Sequence, residues 1–120
     1  MANVAVRSLD PSAHRELCYA LIEAGHTIVY DQVAGRLDDP QKTLDGILER
    51  SPDAIVADGA LGQKGLLEAY AAREEMPPLV ALTRVANLRG ELRGFTKHVV
   101  EGQKGRSNLG QYITDLLTPK

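Results

Sequence analysis

The sequence predicts an α/β protein: a doubly wound parallel sheet of five strands with helices on both faces and a fourth helix that is short or irregular. Three observations carry that reading. Strand-length apolar runs and helix-length amphipathic stretches alternate five times along the 120 residues, the order of a sheet built from strand-helix-strand units with right-handed crossovers. Two Asp-Pro pairs, Asp10-Pro11 and Asp39-Pro40, stand where helices should begin, because Asp accepts from the free N–H groups of a first turn and Pro suits its first position. The run Ala54 to Ala57 is apolar without alternation and lies between Ser51-Pro52-Asp53 and Asp58-Gly59, as suits a strand covered on both faces.

The elements follow in order. Asn3 to Leu9, with Val4, Ala5 and Val6, predicts the first strand. The next helix runs from Pro11 to Ala24, with Leu17, Cys18, Leu21 and Ile22 on its buried face and Gly25 as its stop. His14, in the first turn, reads as a solvated side chain, and Cys18 as a small core residue. His26 to Tyr30 is the second strand, and Asp31 to Asp39 a loop rich in charge and glycine. A helix from Pro40 to about Arg50 turns Leu44, Ile47 and Leu48 inward. After the third strand, a helix from Gly65 to about Glu74 carries Leu66, Leu67 and Tyr70 and is broken by Pro77-Pro78. Leu79 to Leu82 is the fourth strand, ending at Thr83. Asn87 to Gly94 holds two glycines and supports only a short or irregular helix. Lys97 to Val100 is a brief fifth strand and Glu101 to Arg106 a glycine-bearing loop. Ser107 or Asn108 then caps a last helix in which Leu109, Tyr112, Ile113, Leu116 and Leu117 recur at helical spacing.

Length fits one domain over residues 1–120. With one Phe, no Trp and four Tyr, the core must be aliphatic. A net charge of -2 argues against bulk attraction to nucleic acid or an anionic membrane, although the segment Arg84 to Arg106 holds six Lys or Arg against two Glu. Clustered charge is more often a solvated face, and with Phe95 as the one Phe, Tyr or Trp in that segment a nucleic-acid partner is not expected. The single cysteine excludes an internal disulfide and a cysteine-rich metal site and suits a reducing compartment. No apolar run approaches the length of a membrane span, and the N-terminus lacks the apolar segment of a signal peptide. A cytoplasmic protein is the expectation.

Asp58 is the first residue to question. It closes an apolar strand, and in open α/β sheets the carboxyl ends of the strands are where ligands bind. Gly-Gln-Lys-Gly occurs twice, at Gly62 to Gly65 and at Gly102 to Gly105, each copy after a strand and before a helix. Such turns expose backbone N–H groups that can hold an anion, with Lys64 or Lys104 nearby. Two ordinary strand-to-helix turns would look the same.

Five strand-helix units, the segment Pro52 to Asp58, Gly65-Leu66 opening the third helix, Ala-Leu-Thr ending at Thr83, and Gly94 before the fifth strand together resemble the receiver domain of bacterial response regulators, a flavodoxin-like fold. The resemblance covers essentially the whole chain. It implies that Asp58 stands at the position of the aspartate that accepts a phosphoryl group from a histidine kinase, and Thr83 at that of the hydroxyl switch residue. In that family a divalent metal and a lysine offset the phosphoryl charge. The chain departs from the pattern at those positions. Aligning Asp10-Pro11 with the usual acid-proline puts Ser8 and Leu9 where the metal-binding acids stand, and the lysine position falls on Glu101. Arg84 follows the switch threonine, where a small residue is usual. Between Thr83 and the fifth strand the chain is several residues shorter than usual, which removes much of the fourth helix and redraws the signalling face.

The resemblance therefore implies an atypical, pseudo-receiver domain of two-component signalling that acts by protein contact, without Mg-dependent phosphorylation and without enzymatic activity. The alternatives are a working phosphoacceptor at Asp58, with Mg held by Asp10 and Asp58, or a module that binds a small anionic ligand through its Gly-Gln-Lys-Gly loops. The expected partner is a protein, either a kinase, an output domain or a scaffold. Tyr112 and Ile113 could extend an apolar surface toward a second copy, although packing on the sheet is their simpler role.

Overall fold

The computed structural model describes residues 2–33, 39–59, 63–83, 89–101 and 108–118, with Arg89 and Glu101 described by their backbone alone. Five strands, β1 (Asn3–Ser8), β2 (Thr27–Val33), β3 (Ala54–Asp58), β4 (Leu79–Thr83) and β5 (His98–Glu101), form one sheet in the order β2-β1-β3-β4-β5. Every pairing is parallel. The helices between them are α1 (Pro11–Glu23), α2 (Pro40–Leu48), α3 (Lys64–Ala71), the single turn α4 (Arg89–Leu92) and α5 (Leu109–Leu117). The doubly wound flavodoxin-like fold and the short fourth helix are as the sequence predicts.

Local chemistry explains where the elements start. The Asp10 carboxylate accepts from the Ser12 N–H at 3.1 Å, and the Asp39 carboxylate accepts from Gln41 and Lys42 N–H at 3.1 and 3.2 Å, so both Asp-Pro pairs cap as their chemistry requires. At the other edge of the sheet, Asp53 binds Asn3 twice. The Asn3 N–H donates to its carboxylate at 2.8 Å, and the Asp53 N–H donates to the Asn3 carbonyl at 2.6 Å. This pair sets the register of β3 on β1.

The two faces of the sheet carry separate cores. One gathers Ala5, Ile55, Ala57, Leu79 and Ala81 from the strands with Leu44 and Ile47 of α2 and Leu66 and Leu67 of α3. The other gathers Val4, Val6, Val56, Val80 and Leu82 with Leu17 and Leu21 of α1 and Leu109 and Ile113 of α5. Period-two alternation along each strand divides the side chains between them. Ile113 is thus fully buried on the sheet and Tyr112 half-buried against the same core, which is the simpler of the two roles open to them.

Three expectations are corrected. Residues Asp31 to Val33 belong to β2 and not to a loop, because β1 pairs with β2 as far as Ser8 and Val33; an edge strand needs only one partner and tolerates polar residues on its open side. Ile22 is 55% exposed: the buried stripe of α1 runs through Ala13, His14, Leu17 and Leu21, and Ile22 lies a further step round the helix. His14, expected in solvent, is buried.

Candidate functional site

The carboxyl edge of the sheet brings the ends of β1, β3 and β4 together. Asp58, the last residue of β3, is only 2% exposed, and Thr83, the last of β4, is also buried. Register places Asp58 opposite Leu82 and Thr83 opposite Glu101, so Asp58 and Thr83 lie at adjacent strand ends, with the backbone of Glu101 beyond. Arg7 pairs with Ala57. Ser8 and Asp58 come next on their strands, and both continue the alternation toward the α1 side.

The turn after Asp58 is shaped by Gly59, whose φ of +67° favours glycine. A Cβ there would meet the Leu9 side chain at 3.2 Å. Leu9 is therefore packed over this turn, half-buried. Ser8 is fully buried, its hydroxyl 3.0 Å from His14 Nδ1. Asp10 is exposed and its carboxylate accepts from α1. The side chains of Ser8 and Leu9, which the resemblance aligns with metal-binding acids, are thus a hydroxyl held by an imidazole and an isobutyl group. They do not fit a magnesium ion, which takes oxygen ligands and usually at least one carboxylate.

Gln63 ties the edge together, and nothing in the Gly-Gln-Lys-Gly pattern announced it. Fully buried, it donates from its amide nitrogen to the Asp58 carbonyl at 2.5 Å and to the Arg7 carbonyl at 3.1 Å. Its amide oxygen accepts from an Arg7 guanidinium N–H at 2.7 Å. Arg7 also donates from Nε to Gln32 Oε1 at 3.0 Å, and the Tyr30 hydroxyl donates to that same oxygen at 2.8 Å. Burial pulls the Arg7 pKa down, and the neighbouring Tyr30 works against that shift. Burial also pushes the Tyr30 hydroxyl up, opposed by Arg7 and Arg50. A charge inside the apolar run Val4 to Arg7 was the signal available for this network, since a buried guanidinium requires partners.

On the α1 side, His14 Nδ1 meets Ser8, and Nε2 contacts both the Asp31 carboxylate and, at 3.6 Å, the Cys18 sulfur. Burial, with the charge of Asp31 added to it, pushes the Cys18 thiol up to about 11. The chain of Ser8, His14 and Asp31 has the residue types of a hydrolytic triad. Ser8, however, has no exposed surface, so no substrate carbonyl can reach it, and a triad needs an accessible nucleophile.

Lys64 of the first Gly-Gln-Lys-Gly copy lies 3.7 Å from the Glu91 carboxylate. Arg84, Lys104 and the second copy, Gly102 to Gly105, lie outside the described residues, as does the Glu101 side chain. A pocket of about 300 Å³, lined by residues including Tyr70, Met76, Phe95 and Lys97, opens where β4 and β5 begin, at the opposite edge from Asp58. No helix among the described residues is long and apolar enough to cross a membrane.

No protein-family model matches the sequence, and no curated protein sequence matches it. Solved structures do match in shape. The chain is similar to part of the methanol:cobalamin methyltransferase complex MtaBC from Methanosarcina barkeri, with a TM-score of 0.69, 9% identity, and 96% of this chain against 46% of that one. It is similar to the bacteriophytochrome response regulator AtBRR, with a TM-score of 0.62, 15% identity, and 97% and 92% of the two chains covered. A response regulator protein from Burkholderia multivorans gives a TM-score of 0.56 at 19% identity, with 100% and 98% covered. The chain spans about half the length of the MtaBC chain and nearly all of the two response regulators. At such identities the likeness concerns the fold: the chain has the five-stranded, parallel flavodoxin-like fold that response-regulator receivers share.

Proposed function

We propose that this chain is a receiver-like domain of two-component-type signalling that works through contact with a protein partner, without Mg-dependent phosphorylation of Asp58. The observation that carries the reading is the end of β1. Asp58 ends β3, where the resemblance expects a phosphoacceptor, yet beside it Ser8 is bonded to His14 and Leu9 covers Gly59. A phosphoryl group would bring a charge of about -1.5 to -2 into that buried setting. Transfer to a carboxylate depends on a cation at a defined place, and the residues at the metal position do not provide for one. The near-complete overlap with two response regulators supports the signalling role.

The test is direct. Incubated with Mg and a small phosphodonor such as acetyl phosphate, the chain is expected to keep its intact mass. Beryllofluoride with Mg is expected to leave the amide resonances around Asp58 in place. Appearance of a phosphoryl adduct that is lost in Asp58→Asn would overturn the proposal and establish the phosphoacceptor instead.

A further inference from the structure

We infer that His14, Cys18 and Asp31 form a zinc-binding site at the corner where α1 meets the end of β2. This goes beyond the signalling role, and it stands or falls without reference to phosphorylation.

The three residues come from two elements and meet through tertiary packing. His14 and Cys18 are four residues apart on the same face of α1, and Asp31 reaches them because β2 continues past Tyr30. Their ligand atoms all lie within 4.8 Å of one another. Cys18 Sγ is 3.6 Å from His14 Nε2. Around a tetrahedral zinc ion, with Zn–S of about 2.3 Å and Zn–N of about 2.0 Å, sulfur and nitrogen stand roughly 3.5 Å apart. An entering ion takes the place of the contact between His14 Nε2 and the Asp31 carboxylate. Asp31 has room to adjust because its side chain is 62% exposed.

The imidazole is already supported in the way metal-binding histidines require. Its other nitrogen, Nδ1, is 3.0 Å from the Ser8 hydroxyl in a buried setting, which fixes the ring plane with Nε2 facing the cluster. A hydroxyl both donates and accepts. When Nε2 carries the proton, Ser8 donates to Nδ1; when Nε2 binds a metal, the proton sits on Nδ1 and Ser8 accepts it.

The chemistry of the donors selects the ion. A thiolate and an imidazole favour zinc over magnesium or calcium, which prefer oxygen. Binding releases one proton from the Cys18 thiol. The ion's two positive charges are then balanced by the thiolate and the Asp31 carboxylate, so the half-buried corner holds no net charge. Three protein ligands leave a fourth position for water.

Cobalt(II) chloride, added to the reduced full chain, is the test. Cys18 is the only cysteine, so a thiolate-to-cobalt charge-transfer band in the near ultraviolet reports this site alone. The expected result is a band that saturates at one equivalent with the visible bands of a tetrahedral ion and is displaced by zinc. Cys18→Ser should abolish it. Asp31→Asn, at an exposed position that does not endanger folding, should weaken cobalt binding. Ser8→Ala should weaken it about 10–100-fold, the usual cost of a lost supporting hydrogen bond. Circular dichroism checks that each variant is folded. Absence of the band in the native chain overturns the site, as does a band that Asp31→Asn leaves at the same affinity, or cobalt binding unchanged in Cys18→Ser, which would place the metal on other histidines.

Discussion

Gln63 is the residue on which the carboxyl edge most depends. Its amide accepts from one Arg7 guanidinium N–H and donates to the carbonyls of Arg7 and Asp58, near the ends of β1 and β3, and each buried polar group left without its partner costs about 1–3 kcal/mol. Gln63→Ala is therefore expected to lower the free energy of unfolding by at least about 1–3 kcal/mol, read from the midpoint of urea denaturation at an unchanged slope. Little of this was legible beforehand. Gln63 lies within a Gly-Gln-Lys-Gly pattern whose glycines and lysine draw the eye to an anion, while the amide that matters is turned inward. Arg7 sat in plain view as the one charge in an apolar strand. Two of the partners it found, Gln32 and Gln63, are distant in sequence, and nothing around either marks it as a partner of Arg7. His14 was misplaced for a related reason: a helix's first turn is usually solvated, and the packing of α1 against the ends of β1 and β2 buries this one.

At the scale of elements, what depends on neighbours in sequence was legible and what depends on neighbours in space was less so. Asp10 and Asp39 announce the starts of α1 and α2 because capping involves residues two or three apart. The extension of β2 through Val33 depends on β1 and could not be read from Asp31-Gln32-Val33 alone. The crossing of α1 and α5 is another tertiary feature. A Cβ on Gly110 would stand 2.5 Å from both the Ala20 carbonyl oxygen and the Ala24 Cβ, so the glycine lets the two helices approach at backbone distance. His26 supports the same junction, with Nε2 3.0 Å from both the Gly110 carbonyl and the Thr114 hydroxyl, while Nδ1 accepts from the Ala2 N–H. Gly110→Ala is expected to destabilise the fold by about 1–3 kcal/mol, as overpacking does. Adding Ala24→Gly should not restore it, because the Ala20 carbonyl remains in the way. Thermal denaturation of the single and double variants checks both statements.

For the molecule as a whole, the sheet order β2-β1-β3-β4-β5 has a consequence for how the chain assembles. Every pairing joins strands consecutive in sequence except β1 with β3, which closes around β2 and α2. The double link between Asn3 and Asp53, fifty residues apart, sits at the start of that pairing. Closing a longer loop costs more chain entropy, and long-range closures of this kind set folding rates more than local ones do. Asp53 then acts as a latch on the slowest closure: Asp53→Ala should slow refolding in proportion to the stability it removes and leave the unfolding rate nearly unchanged. Stopped-flow refolding and unfolding across a denaturant series separates the two rates, and an effect confined to unfolding would show that the latch closes only after the sheet has formed.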